Sequence, residues 1–124
     1  MNRPSPAFRQ ARRCYGHLAG ALGVALRQRL EAAQLLHGDG EVYRLSNAGR
    51  RWAESFGFDT DDRHLPQHAR CCLDGTEREF HLGGRLGRTI LTYLLDQGVL
   101  IPDGARVLRH PEIGRVWAAL RLEN

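Results

Sequence analysis

The sequence predicts an α+β fold that is mostly α, in which two tandem, pseudo-symmetric repeats each hold a long helix, a short strand and a second helix. The first observation is that His17-Leu18-Ala19-Gly20-Ala21-Leu22-Gly23 returns as His81-Leu82-Gly83-Gly84-Arg85-Leu86-Gly87. The second is that Gly49-Arg50-Arg51-Trp52 returns as Gly114-Arg115-Val116-Trp117. Because such self-similarity indicates a duplicated supersecondary unit, we expect two units packed around a pseudo-two-fold axis.

The length and composition are those of a single globular domain. We assign residues 1–124 to one domain, with repeats at 14–57 and 78–122 and a connector at 58–77. No apolar run approaches the length of a membrane span, and the first residues show no signal-peptide pattern. The three cysteines argue against a disulfide framework and favour a reducing compartment. We therefore expect a cytoplasmic protein without a membrane partner.

In the first repeat, Ser5-Pro6 is typical of a helix start and predicts a helix from about Ala7 through His17. An apolar stripe with helical spacing predicts the long helix, which should end by residue 36 at a turn over 37–40. The alternating residues 41–45 predict a strand. Ser46-Asn47 then cap a second helix that runs over 48–56.

The second repeat follows the same order. The connector should contain a capped helical turn at 59–62 and a turn at 73–76. The apolar stripe begins again at Leu82, and Gly98 should end the second long helix. A strand over 105–109 and a last helix over 110–122 complete the repeat. With about one strand in each half, we expect the two strands to pair into a small antiparallel β ribbon.

The net charge of +4 lies in the N-terminal arm. All 18 basic residues are arginines, and from residue 14 onward arginines and acidic residues balance. The surplus consists of Arg3, Arg9, Arg12 and Arg13. These side chains are candidates for contacts with DNA phosphates, although a solvated linker or helix start would have the same composition.

Two cysteines and two histidines form a candidate metal site. Cys14 and His17 are three residues apart, Cys72 and His81 stand in or before the second repeat, and the repeat symmetry places His17 and His81 at equivalent positions. Two thiols and two imidazoles suit tetrahedral zinc or another thiophilic ion. The alternative is that they are buried polar caps and small core thiols. The vicinal pair Cys71-Cys72 would also suit a redox or metalloid sensor.

Catalytic motifs are missing from the sequence. Ser46 has no neighbouring histidine to activate it, and Gly83-Gly84 lacks the spacing of a phosphate-binding loop. We therefore do not expect an enzyme. Trp52 and Trp117 occupy equivalent positions in the repeats and are either core anchors or the lining of a ligand pocket between them.

Several motifs together resemble a known family. They are Arg13-Cys14-Tyr15-Gly16-His17-Leu18-Ala19-Gly20-Ala21-Leu22-Gly23-Val24, Tyr43-Arg44-Leu45-Ser46-Asn47-Ala48-Gly49-Arg50, Cys72-Leu73-Asp74 and Thr76-Glu77-Arg78 before His81-Leu82. From Pro4 onward the chain is similar to the C-terminal half of ArsR-type winged-helix transcription regulators. The resemblance implies winged-helix-like repeats and a DNA-reading N-terminal half that is absent from this sequence.

The sequence thus predicts the sensing or assembly module of a bacterial transcription regulator. A metal or small ligand at the repeat interface would act on the DNA-reading half, and a homodimer is a further expected assembly. Two alternatives stay open. One is a stand-alone DNA-binding protein that uses the basic N-terminal arm, and the other is a structural dimerisation module without a ligand.

Overall fold

The computed structural model describes residues 3–64 and 67–123. Within these ranges the protein is α+β, with five helices and eight short strands. The helices are α1 Pro6–Gln10, α2 Gly20–Ala32, α3 Asn47–Ser55, α4 Gly84–Asp96 and α5 Ile113–Leu120. The strands are β1 Arg12–Cys14, β2 His17–Ala19, β3 Leu36–Gly38, β4 Tyr43–Leu45, β5 Arg70–Leu73, β6 Phe80–Gly83, β7 Ile101–Pro102 and β8 Leu108–Arg109.

The order of elements occurs twice along the chain. In each half a β hairpin leads into a 13-residue helix, and a second hairpin leads into a shorter helix. The hairpins pair β1 with β2, β3 with β4, β5 with β6 and β7 with β8, all antiparallel. The α+β class is confirmed, while the winged-helix character of the repeats stays a prediction.

The predicted helix over 7–17 is wrong. Helix α1 ends at Gln10, and the chain then forms the β1–β2 hairpin around Tyr15 and Gly16. Both turn residues have positive φ, 59° at Tyr15 and 135° at Gly16, a conformation that reverses the chain and cannot continue a helix. Leu18 and Leu82 fit the helical spacing but lie in β2 and β6, where they are buried as strand residues.

The predicted ribbon between the halves is also wrong. Each strand pairs within its own half, so each half contains two hairpins. In the first half, residues 36–38, predicted as a helix end and turn, form strand β3 and pair with β4. Strand β5 begins at Arg70, within the predicted connector, and the repeat boundaries stay a prediction. Residues 59–62 contain no helical turn. Residues 65 and 66 of the connector lie outside the described residues.

Backbone hydrogen bonds join the first hairpin of each half to the second hairpin of the other half. They come in two equivalent pairs, with N···O distances of 2.8–3.2 Å. In the first pair, the N–H of Arg13 donates to the carbonyl oxygen of Arg106, and the N–H of Leu108 donates to that of Ala11. In the second pair, Cys71 donates to Glu41 and Tyr43 donates to Ala69. The two repeats are therefore interlocked, since each completes a sheet edge of the other.

The interlocked hairpins surround a core that the long helices share. Strand β2 lies against β6, helix α2 packs on β6, and helix α4 packs on β2. The largest fully buried apolar side chains come mainly from the two long helices and include Leu22, Leu30, Leu86, Ile90 and Leu94. In the described part of the chain no helix is both long and apolar enough to cross a membrane.

Gly23 and Gly87, which end the two copies of the doubled motif, allow helices α2 and α4 to lie close to strands β2 and β6. A Cβ at Gly23 would lie 2.5 Å from the carbonyl oxygen of Leu18 and 3.4 Å from the Cβ of His81. In the other half, a Cβ at Gly87 would overlap the carbonyl oxygen of Leu82 and would lie 3.1 Å from the Cβ of His17. The motif therefore encodes a close contact between each helix and the histidine of the opposite repeat.

We expect Gly87→Ala to lower the free energy of unfolding by about 1–3 kcal/mol, because the added methyl group overlaps a backbone carbonyl that cannot move freely. Denaturant unfolding of the two proteins measures the difference. Gly114→Ala is the matched control, since a Cβ there meets nothing within 4 Å and the residue is exposed in α5. Equal effects of the two substitutions would contradict the role given to Gly87.

Candidate metal centre

Four side chains predicted as metal ligands meet at the centre of the fold. The ligand atoms of Cys14, His17, Cys72 and His81 all lie within 4.8 Å of one another. Two of the residues come from each repeat, and strands β2 and β6 lie side by side at this point. The cluster therefore lies at the junction of the two halves, and its role as a metal site stays a prediction.

Strand register explains why each half presents one cysteine beside one histidine, although the two residues are three apart in the first half and nine apart in the second. Cys14 is the cross-strand partner of His17 in the β1–β2 hairpin, and Cys72 is the partner of His81 in the β5–β6 hairpin. Directly opposed residues of an antiparallel pair point to the same face. Each first hairpin thus presents one thiol and one imidazole to the other, although the second hairpin is longer and has a longer loop.

Two distances within the cluster are close to those around a tetrahedral ion of the size of zinc. The Sγ atoms of Cys14 and Cys72 are 4.0 Å apart, and the Nε2 atoms of His17 and His81 are 3.0 Å apart. Ordinary zinc–ligand bond lengths place two sulfurs of a tetrahedron about 3.8 Å apart and two nitrogens about 3.3 Å apart. These two pairs are thus within a few tenths of an ångström of the zinc values, and the four ligand atoms together lie within 4.8 Å of one another.

The histidines are buried and uncharged at neutral pH. Burial lowers the pKa of His17 to about 4, with further contributions from the neighbouring His81 and Arg88. Burial also lowers the pKa of His81, and the carboxylate of Asp74 only partly opposes this effect. A neutral imidazole is the form that binds a metal ion. The thiols of Cys14 and Cys72 are half-buried, so the cluster is more accessible on its sulfur side.

Asp74 fixes the tautomer of His81. The Oδ1 atom of Asp74 lies 3.0 Å from Nδ1 of His81. Because an ionised carboxylate only accepts hydrogen bonds, Nδ1 of His81 carries the proton and Nε2 presents its lone pair to the centre of the cluster. Without a metal, the Nε2–H of His17 donates to that lone pair over 3.0 Å. A carboxylate behind a ligating histidine is the arrangement that orients ligands in many zinc sites.

Asp74 is itself held by a dense set of donors. Its carboxylate accepts hydrogen bonds from the backbone N–H of Gly20 (2.7 Å), from the backbone and hydroxyl of Thr76, and from the backbone of Glu77. It also forms a buried ion pair with Arg12 at 3.3 Å. Burial alone would raise the pKa of Asp74, but these donors hold the pKa well below its usual value. The carboxylate therefore stays ionised in the interior.

The sequence interpretation placed residues 73–76 in a turn and gave Asp74 no role in the site. Asp74-Gly75-Thr76-Glu77 is an Asx-type turn in which the carboxylate accepts from the following backbone amides. That local signal was present in the sequence. The contacts of Asp74 with Gly20 and Arg12 span 54 and 62 residues and depend on the tertiary fold.

The four arginines of the N-terminal arm have different environments. Arg12 is 4% exposed and bonds to Asp74, to Thr76 and to the carbonyl oxygen of Phe8, so its predicted phosphate contact does not fit the structure. Arg3 and Arg9 are exposed, and Arg13 is half-buried. For these three the phosphate contact stays a prediction.

The two tryptophans pack within the fold. Trp52 donates its indole N–H to the carbonyl oxygen of Leu120 over 2.8 Å and contacts Phe56 and Phe58 edge-on. Trp117 is buried, and the guanidinium of Arg29 covers its ring at 4.3 Å. These contacts are those expected of core anchors, and the ligand pocket stays a prediction.

Comparison with known proteins relates this chain to part of a longer protein. The chain is similar to the uncharacterized HTH-type transcriptional regulator YdfF of Bacillus subtilis (strain 168), with 28% identity over 109 residues. The match covers 86% of this chain and 48% of that protein, so the chain spans about half the length of the relative. No protein-family model matches the chain, and no solved structure matches it. The likeness supports the predicted transcription-regulator class, while the ArsR type and the C-terminal position stay predictions.

Proposed function

We propose that this protein is the sensing and assembly part of an ArsR-like, HTH-type bacterial transcription regulator. Its activity would be to bind one zinc ion, or another thiophilic metal, between its two repeats. The match to about half of a transcriptional regulator supports the first part. The convergence of Cys14, His17, Cys72 and His81 on one point carries the second.

The chemistry of the cluster favours zinc over hard cations. Two sulfurs and two imidazole nitrogens are the donors that thiophilic ions prefer, whereas magnesium and calcium require oxygen ligands. The only carboxylate oxygen in contact with these ligands, within the residues described, is that of Asp74, which faces Nδ1 of His81 on the side away from the centre. Asp74 would therefore orient a ligand rather than be one.

Metal binding would act on the contact between the repeats. Each repeat supplies half of the ligands, so an ion in the cluster would tie the β1–β2 hairpin to the β5–β6 hairpin. Through Asp74 the same site is connected to the first residue of α2 and to Arg12 beside α1. An ion that ties the two hairpins would make the region around Asp74 and α1 more rigid. In a longer regulator, a DNA-reading segment attached near α1 would respond to this change.

The alternatives have less support. A stand-alone DNA-binding protein would use the basic arm, but one of its four arginines is buried against Asp74. Strongly salt-dependent binding of this chain to duplex DNA would favour that alternative. A structural dimerisation module would bind no metal and would form a dimer that is insensitive to chelators.

Metal content is the direct test of the proposed site. Protein purified without a metal-binding tag and loaded with zinc is expected to retain one ion per chain after desalting. Cys14→Ser and Cys72→Ser should each reduce retention to a small fraction, because a structural site needs all four ligands. Cobalt in place of zinc should produce the visible bands of a tetrahedral thiolate complex in the wild-type protein only.

Cys71→Ser and His37→Ala are the matched controls. Cys71 is adjacent to a proposed ligand and has a half-buried thiol, and His37 is an exposed histidine in β3. Neither belongs to the cluster. Zinc retention in all four variants at the wild-type level would refute the site, as would wild-type protein that retains no metal.

A further inference from the structure

We propose that Cys14 and Cys72 form a reversible disulfide that excludes the metal, so that oxidants of the peroxide class empty the site. The pairing of the two thiols depends on geometry alone, whereas the loss of metal rests on the function proposed above. The cluster would then sense oxidation as well as metal, with one pair of sulfurs serving both responses.

The two sulfurs are placed to react with each other. Their Sγ atoms are 4.0 Å apart in the reduced protein, and a disulfide bond is about 2.05 Å long. Closing the remaining distance of about 2 Å requires rotation of the two half-buried side chains. Since 58 residues separate them, the bond would link the two repeats covalently.

The third cysteine is excluded from this pairing by its position. Successive residues of a strand point to opposite faces, so Cys71 faces away from the cluster that contains Cys72. The Sγ atom of Cys71 lies near Gly38, and its thiol contacts the hydroxyl of Tyr43. A bond between Cys71 and Cys72 would also strain the intervening peptide. Cys71 lies outside the cluster and therefore serves as the control thiol for the reactivity of Cys14 and Cys72.

The chemistry balances with hydrogen peroxide as the oxidant. One thiolate attacks a peroxide oxygen, the O–O bond breaks, and a sulfenic acid and hydroxide are formed. The second thiolate then attacks the sulfenic sulfur, forming the S–S bond and expelling a second hydroxide. The two sulfurs together lose two electrons and the peroxide gains two. The two protons that the thiols release on forming thiolates convert the hydroxides to water. A dithiol reductant reverses the change.

The disulfide and the metal exclude each other because both require the sulfur atoms of Cys14 and Cys72. A metal ion in the cluster needs both sulfurs as thiolates, and neither is available once they are bonded to each other. The two imidazoles that remain would form a much weaker site. Oxidation should therefore release the ion, and reduction should restore binding.

Peroxide treatment of the reduced, metal-free chain tests the pairing. The intact mass should fall by about 2 Da, and a tryptic digest should contain peptide 14–27 linked to peptide 71–78. Cys71→Ser should form the same link at the wild-type rate, and Cys72→Ser should form none. A vicinal disulfide within peptide 71–78, a disulfide between chains, or sulfinic acids without a link would overturn the proposal.

Peroxide treatment of the zinc-loaded chain tests the competition. We expect release of one zinc per chain in step with the cross-link, and rebinding after reduction. If the link forms and zinc stays bound, the competition is refuted. If the metal-free chain forms the link but no form of the protein binds zinc, the function proposed above fails while the pairing of Cys14 with Cys72 stands.

Discussion

Asp74→Ala is expected to lower the free energy of unfolding by about 3–5 kcal/mol, the range for breaking a buried ion pair by removing one partner. The substitution leaves the guanidinium of Arg12 buried without a counter-charge, and it removes the acceptor of the Gly20 amide and of His81 Nδ1. Urea or guanidinium unfolding at neutral pH measures the loss.

Asp103→Ala is the control for this effect. Asp103 also pairs with an arginine, Arg109, but both side chains are more than half exposed, so the loss should be at most about 1 kcal/mol. A loss this small at Asp74 would contradict the role assigned to its carboxylate. Asp74→Asn, if folded, should bind zinc about 10–100-fold more weakly, because His81 is no longer oriented by a full negative charge.

Zinc at about 100 times its dissociation constant is expected to raise the melting temperature by about 10 °C. Such an excess stabilises the native state by about 2.7 kcal/mol, and 1 kcal/mol corresponds to about 4 °C for a domain of this size. The unfolded chain does not hold the four ligands together, so binding energy becomes folding energy. Thermal unfolding with zinc and with a chelator measures the shift.

Single-ligand variants separate this effect from nonspecific metal binding. Cys14→Ser should show a shift of less than about 2 °C with the same zinc concentration, while Cys71→Ser should respond like the wild-type protein. Equal shifts in both variants would mean that the stabilising ion binds elsewhere. A chelator that leaves the melting temperature of the zinc-loaded wild-type protein unchanged would also contradict the prediction.

The candidate ligands could be named from the sequence because the internal repeat relates them. The doubled motif identified His17 and His81 as equivalent, and the cysteines were assigned to the same site on chemical grounds. The structure brings the four together through two hairpins, the first of which replaces part of the helix predicted over 7–17. The symmetry argument was thus independent of the error in secondary structure.

The hairpins themselves were harder to predict. Strands such as β1 and β2 have only three residues each, too few for alternation of polar and apolar positions to stand out. Their apolar residues fit the helical spacing of the adjacent α2 equally well. The hydrogen bonds between the halves could not be predicted either. The bond from the N–H of Leu108 to the carbonyl oxygen of Ala11 depends on which strand edges meet in the tertiary fold.

The interlocking of the hairpins has a consequence for how the chain folds. The edge that Ala11 offers is covered by Leu108, close to the other end of the chain. Contacts between such distant residues form late, and an uncovered strand edge favours aggregation. During synthesis the hairpin edge of the first repeat therefore stays open until Leu108 has been made. The two repeats should therefore fold as one cooperative unit rather than one after the other.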